Sequence, residues 1–287
     1  MKANGNTMSS TALIDLTILD VLPQRMADSH KGNFGSVGIL GGAPGMIGAL
    51  LLAARAALYL GAGKVYAASL SSISIDFQQP EIMFLSPSQL LATPLTVLAI
   101  GPGLGQTEQA SQLLASALLS KSSVVLDADA LNLLAGSQQL KNLVLNRTSP
   151  TLLTPHPGEA ARLLGGEINT ITQARPAAAL QLAEQYRAWV VLKGAGSICA
   201  TPDGEWRINP TGNPGLSSAG MGDVLTGMLA ALLGQAVAPF AALQLATYLH
   251  GAAADAMQVD GIGPVGLTAT EVIVAARKLL NQHDRSG

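Results

Sequence analysis

Apolar residues recur along this chain with two spacings. Short stretches that stay apolar and then run into glycine or a polar residue predict buried strands at 36–40, 64–70, 96–100, 124–126, 152–153 and 189–193. Apolar residues at helical spacing predict helices over 11–22, 47–60, 173–187 and 268–281. Two more helices are expected within 224–254, divided by Gly234-Gln235 and Pro239. A short hairpin is expected from 197–201 and 205–208, turning at Pro202-Asp203-Gly204. Strands alternating with helices, and buried on both faces, predict an α/β fold with a mainly parallel sheet. No linker or repeat divides residues 1–287, so a single domain is expected, with a polar and frayed stretch at 1–10.

The stretch with most chemistry is NPTGNPGLSSAGMGDVLTGMLAALLG, from Asn209 to Gly234. Its first half is small and turn-forming. Its second half is apolar, with Val224, Leu225, Met228, Leu229, Leu232 and Leu233 on one broad side. Glycines let consecutive backbone N–H groups point into one concavity, and a helix starting after them adds its unpaired amides and positive dipole end. Gly220, Gly222 and Asp223 sit at that junction, which reads as an anion hole beside a carboxylate. One reading makes Asp223 only a helix N-cap. The loop's four glycines, Gly212, Gly215, Gly220 and Gly222, exceed what a cap needs and favour phosphoryl chemistry. In that reading the amides hold the transferring phosphate and Asp223 takes a proton from the accepting hydroxyl.

Other strand ends carry loops of the same kind. GPGLG (Gly101 to Gly105) follows one strand and KGAGS (Lys193 to Ser197) another, the latter with a lysine and glycines suited to nucleotide phosphates. Asp127 and Asp129 flank the strand end in DADALNLLA, where Asp129 has the alternative reading of a helix cap. In TPHPGEAARLLG, His156 lies between two prolines as either a structural donor or a substrate contact. Glu159 in the same segment either caps the next helix or reaches a metal through water. Gly42, Gly45 and Gly48 miss the dinucleotide fingerprint, and GAGKV lacks the hydroxyl residue and spacing of a P-loop.

Composition narrows the partners. Sixteen basic and 18 acidic residues give a net charge of −2 in 287 residues, which argues against nucleic acid. Charged residues make up only 12% and hydrophobic ones 48%, consistent with a large core and buried subunit contacts. The uncharged runs 32–54 and 224–254 are broken by glycine or proline, so neither reads as a membrane span. A lone cysteine, Cys199, and an N-terminus unlike a signal peptide fit a soluble protein of the reducing cytoplasm.

HKGNFGSVGILGG, IGPGLG, DADALNLL, TPHPGEAARLLG, LKGAGS, NPTGN and GMGDVLTG occur here in that order, from His30 towards the last helix. With this set the sequence resembles the ADP/ATP-dependent NAD(P)H-hydrate dehydratases, a branch of the ribokinase-like superfamily. One departure is Ala219, where the family usually shows glycine, which is expected to restrict that turn. The resemblance implies a three-layer α/β/α sandwich and a carbon–oxygen lyase of metabolite repair. Its substrate is NADH or NADPH hydrated at C6 of the nicotinamide ring, and its co-substrate is ADP or ATP with Mg²⁺. It places Ala43, Gly105, His156 and Asp223 around the hydrated dinucleotide, and Lys193, Gly194, Ala195, Gly196, Ser197 and Gly222 on the nucleotide. Gly220 and Gly222 join Asp223 in catalysis, and Glu159 corresponds to the acidic residue that organises Mg²⁺ through water. It further implies a homotetramer and a separate epimerase, because the residues before the match are too few to hold one. The main rival is a small-molecule kinase of the same fold acting on a hydroxymethyl-type alcohol, with the same hole and base. A regulatory nucleotide-binding protein and an NAD-dependent dehydrogenase fit less well, the first because a sensor needs no base, the second for lack of the fingerprint.

Overall fold

The computed structural model describes residues 13–283. Nine strands form one sheet in the order β3-β2-β1-β4-β5-β6-β7-β8-β9. They are β1 (Ser36–Gly41), β2 (Lys64–Ser69), β3 (Met83–Phe84), β4 (Val97–Ile100), β5 (Ser123–Leu126), β6 (Thr151–Leu153), β7 (Trp189–Leu192), β8 (Ile198–Ala200) and β9 (Trp206–Ile208). The first seven pair in parallel, and β8 and β9 add an antiparallel hairpin at one edge.

Strand residues alternate between two cores, as the pleat requires. Val37, Ile39, Val97, Ala99, Val125 and Leu152 face one side, where they meet α1 (Ile47–Tyr59), α9 (Met221–Gly234), α10 (Pro239–Val259) and α11 (Ala269–His283). Leu40, Leu98, Ile100, Val124, Leu126 and Leu153 face the other. That side is covered by α2 (Pro87–Ala92), α3 (Glu108–Leu118), α4 (Asp129–Gly136), α5 (Gln138–Leu145), α6 (Pro157–Leu164), α7 (Ile168–Gln173) and α8 (Arg175–Tyr186). The result is the expected α/β/α sandwich. No helix among the described residues is long and apolar enough to cross a membrane.

Helices α1 and α9 approach unusually closely. A Cβ placed on Gly227 would lie 2.1 Å from the Ala53 carbonyl oxygen and 2.8 Å from Ala56 Cβ. This contact lets α9 lie flat under the centre of the sheet, with its N-terminus at the ends of β4 and β5.

One local expectation changes. The helix expected at 11–22 is a 3-10 turn at Leu16–Val21, begun by Asp15, whose carboxylate accepts the Thr17 N–H at 2.8 Å. Before it, Ile14 N–H donates to the Ile208 carbonyl, so Leu13 bridges to β9 instead of turning helically. Residues 11–12, and the stretch 1–10 expected to fray, lie outside the described residues. The short elements β3, α2 and α7 were too brief for periodicity to reveal. We expect Gly227→Ala to force α1 and α9 apart and cost about 1–3 kcal/mol. A drop in the thermal unfolding midpoint would show this, and an unchanged midpoint would refute the close approach.

Candidate active site

The strands β1, β4, β5, β6 and β7 are consecutive neighbours in the sheet, so their C-terminal loops line one edge. The order reverses at β1 and β4, and open α/β sheets bind ligands at such a point. The two loops there are laced together: Gly42 N–H donates to the Pro102 carbonyl at 3.0 Å and Ala43 N–H to that of Gly103 at 2.6 Å. Ala43 Cβ lies 3.5 Å from where a Cβ on Gly105 would sit, so these two expected substrate residues share one wall. Asp129 is not the cap of α4. That place belongs to Ala128, at φ 48°, while the Asp129 carboxylate reaches back to accept Gly105 N–H at 2.8 Å and Gln106 Nε2 at 3.1 Å.

The loop from Asn209 to Gly220 is fastened to α10 before it reaches α9. The Asn209 amide is buried and donates to the carbonyls of Thr211 and Thr247. Asp255 accepts Gly212 N–H at 2.7 Å and the Asn213 side chain at 3.2 Å. Gly220 is the N-cap of α9, at φ 86°, and a side chain there would meet Leu52 Cδ1 at 2.4 Å. Only glycine meets both constraints. The first helical bond runs from Val224 N–H to the Gly220 carbonyl, leaving the amides of Met221, Gly222 and Asp223 at the open end. Asp223 is therefore third in the helix and is not its cap. Ala219 is exposed and keeps a negative φ, so the departure from the family pattern strains nothing.

The Asp223 carboxyl is pushed up to about 7, first by burial, then by the negative charges of Asp127 and Asp129; Lys193 pulls the other way. Behind it, Asp127 ends β5 at 1% exposure. Its Oδ1 accepts Lys193 Nζ at 2.7 Å and Thr154 Oγ1 at 2.8 Å, and its Oδ2 accepts Thr226 Oγ1 at 2.9 Å. Burial works against the Lys193 charge, but Asp127 and Glu159 hold its pKa above the usual range. Lys193 Nζ is 3.9 Å from Glu159 Oε2 and 3.2 Å from a Cβ position on Gly222. His250, on α10, is pushed down to about 4 by burial and then by Lys193, so it is neutral and adds no charge.

Glu159 and His156 form a reciprocal cap on α6. The His156 N–H donates to Glu159 Oε2 at 2.8 Å, and His156 Nδ1 accepts the N–H groups of Gly158 and Glu159. His156 is thus a structural acceptor at Nδ1, where a donor was one expectation. Its other nitrogen, Nε2, carries the proton and lies 3.3 Å from Glu159 Oε1, with the ring half exposed. Burial, with Lys193 and Arg162 nearby, lowers its pKa and keeps it neutral. Burial likewise raises the Glu159 carboxyl to about 7, against the pull of Lys193.

The nucleotide-loop candidates Gly194 to Ser197 follow β7. Arg175 of α8 donates to the carbonyls of Ala195, Leu192 and Lys193, and Ser197 Oγ donates to that of Gly194 at 3.0 Å. One motif lies elsewhere: HKGNFG precedes β1, at the far end of the sheet, where His30 and Asn33 cap a short turn. Sequence reasoning noted Asp127 and Asn209 without giving them a site role, and it missed Arg175. Asp127 had a signal, a charge ending an apolar strand; Arg175 had none, since its partners are backbone carbonyls distant in sequence.

No cluster of three metal-ligating side chains occurs among the described residues. Magnesium keeps several waters and takes one or two carboxylates plus substrate phosphates. A single carboxylate, Glu159, fits such an ion when the nucleotide brings the remaining ligands.

Amide hole, buried carboxylate and glycine loops at a topological switch point define a phosphate-handling α/β enzyme of the ribokinase-like kind, and the comparisons agree. A family model described as NAD(P)H-hydrate dehydratase matches residues 37–276, and the chain belongs to that family. It is 41% identical over 273 residues to the ADP-dependent (S)-NAD(P)H-hydrate dehydratase of Neisseria meningitidis serogroup B, covering 93% of this chain and 92% of that one. It is 44% identical over 253 residues to a bifunctional NAD(P)H-hydrate repair enzyme of Moorella thermoacetica, covering 82% of this chain but 47% of that one. The crystal structure of the ADP/ATP-dependent NAD(P)H-hydrate dehydratase of Bacillus subtilis, co-crystallised with ATP and Mg²⁺, superposes with a TM-score of 0.82 at 33% identity, covering 92% and 95% of the two chains.

The raised Asp223 carboxyl has a consequence for stability. A carboxyl whose folded pKa lies above its unfolded value of 3.8 binds more protons folded than unfolded between about pH 4 and 7. Its burden is absent below about pH 4, grows through that window and is complete above about 7. Asp223→Asn is expected to raise the thermal midpoint by several degrees at pH 8, with the gain fading towards pH 4. Equal midpoints at both pH values would contradict the buried base.

Proposed function

We propose that this chain performs the nucleotide-dependent dehydration of (S)-NADHX or (S)-NADPHX, the C6-hydrated cofactors, and returns NADH or NADPH. The observation that carries this is Asp223, a carboxyl raised to about 7 beside three free helix amides, in a chain matched over residues 37–276 by the dehydratase family. A kinase of the same fold would use the same hole and base, and the family match favours the dehydratase.

Asp223 takes the proton of the C6 hydroxyl as that oxygen attacks the terminal phosphorus of the nucleotide. The bridging P–O bond breaks, and AMP leaves when ADP is the donor. The amides of Met221, Gly222 and Asp223 stabilise charge on the transferring phosphoryl oxygens. The ring nitrogen's lone pair then expels phosphate from C6, and loss of the C5 proton to water restores the dihydronicotinamide. Ala43, Gly105 and His156 line the dinucleotide, while Lys193, Gly194, Ala195, Gly196 and Ser197 line the nucleotide. Mg²⁺, carried on the phosphates and organised by Glu159, would neutralise phosphate charge. We read the working unit as a cytoplasmic homotetramer, supplied with the S epimer by an NAD(P)HX epimerase.

The test follows absorbance at 340 nm when hydrated NADH is mixed with enzyme, Mg²⁺ and ADP, ATP or no nucleotide. A nucleotide-dependent rise is expected, largest with ADP and lost in Asp223→Asn. No rise from folded protein with either nucleotide would sink the reading, and turnover on small alcohols would then favour the kinase. Because the base acts ionised, kcat is expected to fall about tenfold per pH unit below about 7. A profile flat to pH 5 would exclude Asp223 as the base.

A further inference from the structure

We propose that Lys193, held in place by Asp127, is the fixed cation of the anion hole and acts on the transferring phosphoryl group, with Asp127 as its positioning residue. The proposal rests on the dehydratase reading and changes what Lys193 contributes to it. The resemblance puts Lys193 with the nucleotide-holding loop, where a lysine would act as a point charge on ground-state phosphate. The geometry points elsewhere.

A lysine that holds an exposed phosphate extends into the cleft on a flexible stem. The Lys193 side chain instead is 19% exposed and folds under the first turn of α9. Its Nζ lies 2.7 Å from Asp127 Oδ1. It is also 3.2 Å from the point where a Cβ on Gly222 would be, nearer than Asp127 Oδ2 at 3.7 Å. Gly222 therefore does two things: it offers an unpaired amide, and its missing side chain leaves room for an ammonium behind that amide. At that point the ammonium is nearer than its counter-anion, so the pair turns its positive end towards Gly222.

Asp127 is built to hold that orientation. It is 1% exposed, and its two oxygens accept from Thr154 just after β6, from Lys193 just after β7 and from Thr226 in α9. A carboxylate bonded from three segments cannot swing to follow the lysine; the lysine must come to it. Phosphoryl transfer spreads charge over three equatorial oxygens, and a charge fixed before the reaction helps most because nothing has to reorganise. Three amides supply dipoles and Lys193 adds a full charge. The same charge opposes the rise in the Asp223 carboxyl, which burial and Asp127 drive more strongly.

The test is a double-mutant cycle on the complete reaction with Mg²⁺, ADP and hydrated NADH, using Lys193→Met, Asp127→Asn and the two combined. Wild-type turnover comes first; if it is absent the dehydratase reading fails, and the cycle is not reached. Given turnover, Lys193→Met is expected to lower kcat about 10²–10³-fold, the loss seen on removing one hole donor. KM for ADP, and its Kd by calorimetry, should stay within about threefold. Asp127→Asn is expected to lower kcat about tenfold or more alone and to cost nothing further beside Lys193→Met. Either single variant leaves a buried charge unpaired, so the double variant, which removes both charges, is also read alone for the same split of kcat from KM. A tenfold rise in KM and Kd for ADP with kcat retained would make Lys193 a nucleotide holder and overturn the proposal. An undiminished effect of Asp127→Asn beside Lys193→Met would overturn the positioning role.

Discussion

A carboxylate shut away from water is tolerated only when donors surround it, and Asp127 shows what that demand does to a fold. Its three donors come from just after β6, just after β7 and from α9, so satisfying one side chain fixes the relative placement of three elements whose ends make the site. Removing a single partner would leave the buried charge short of a donor. The close approach of α1 and α9 at Gly227 serves the same end from the other side, carrying the α9 N-terminus under the sheet to where Thr226 can reach Asp127.

Much of this was legible in the sequence because it obeys local rules. Strands buried on both faces must be apolar throughout, so β1, β4, β5 and β7 stood out with boundaries near those found. The hole was legible because a glycine loop running into an apolar helix has few other uses, and Gly220 does occupy the left-handed cap. What stayed hidden depends on contacts between distant residues. Asp129 looked like a cap because an acid at a helix start usually is one. Its real partner, the Gly105 amide, is 24 residues away. Arg175 gave no sign of its role, since three backbone carbonyls carry no sequence signature. HKGNFG shows the converse: a motif that helps identify the family lies at the far end of the sheet and stabilises a turn.

A cavity of about 650 Å³ also lies away from the site, between residues 19–25 and the C-terminal ends of α1 and α11. Empty volume therefore points away from the perturbed carboxyls. Asp223 and Glu159, both raised to about 7 by burial, sit around one lysine at the ends of neighbouring strands. Perturbed carboxyls gathered around a fixed cation mark a site more reliably than empty volume does. Their cost falls on stability above neutral pH.

One base, one hole and one cation are a small set for a reaction that ends in elimination, and the substrate explains why they suffice. Breaking the C6–O bond ordinarily needs an acid to protonate the leaving hydroxyl. Phosphorylation removes that need, since phosphate leaves as a stable anion. The ring nitrogen, adjacent to C6, supplies the electron pair that drives it out. The protein's task then ends with phosphoryl transfer, which is the task of a kinase site. That is why a kinase-type turn at Gly220–Asp223 fits a lyase without added catalytic groups.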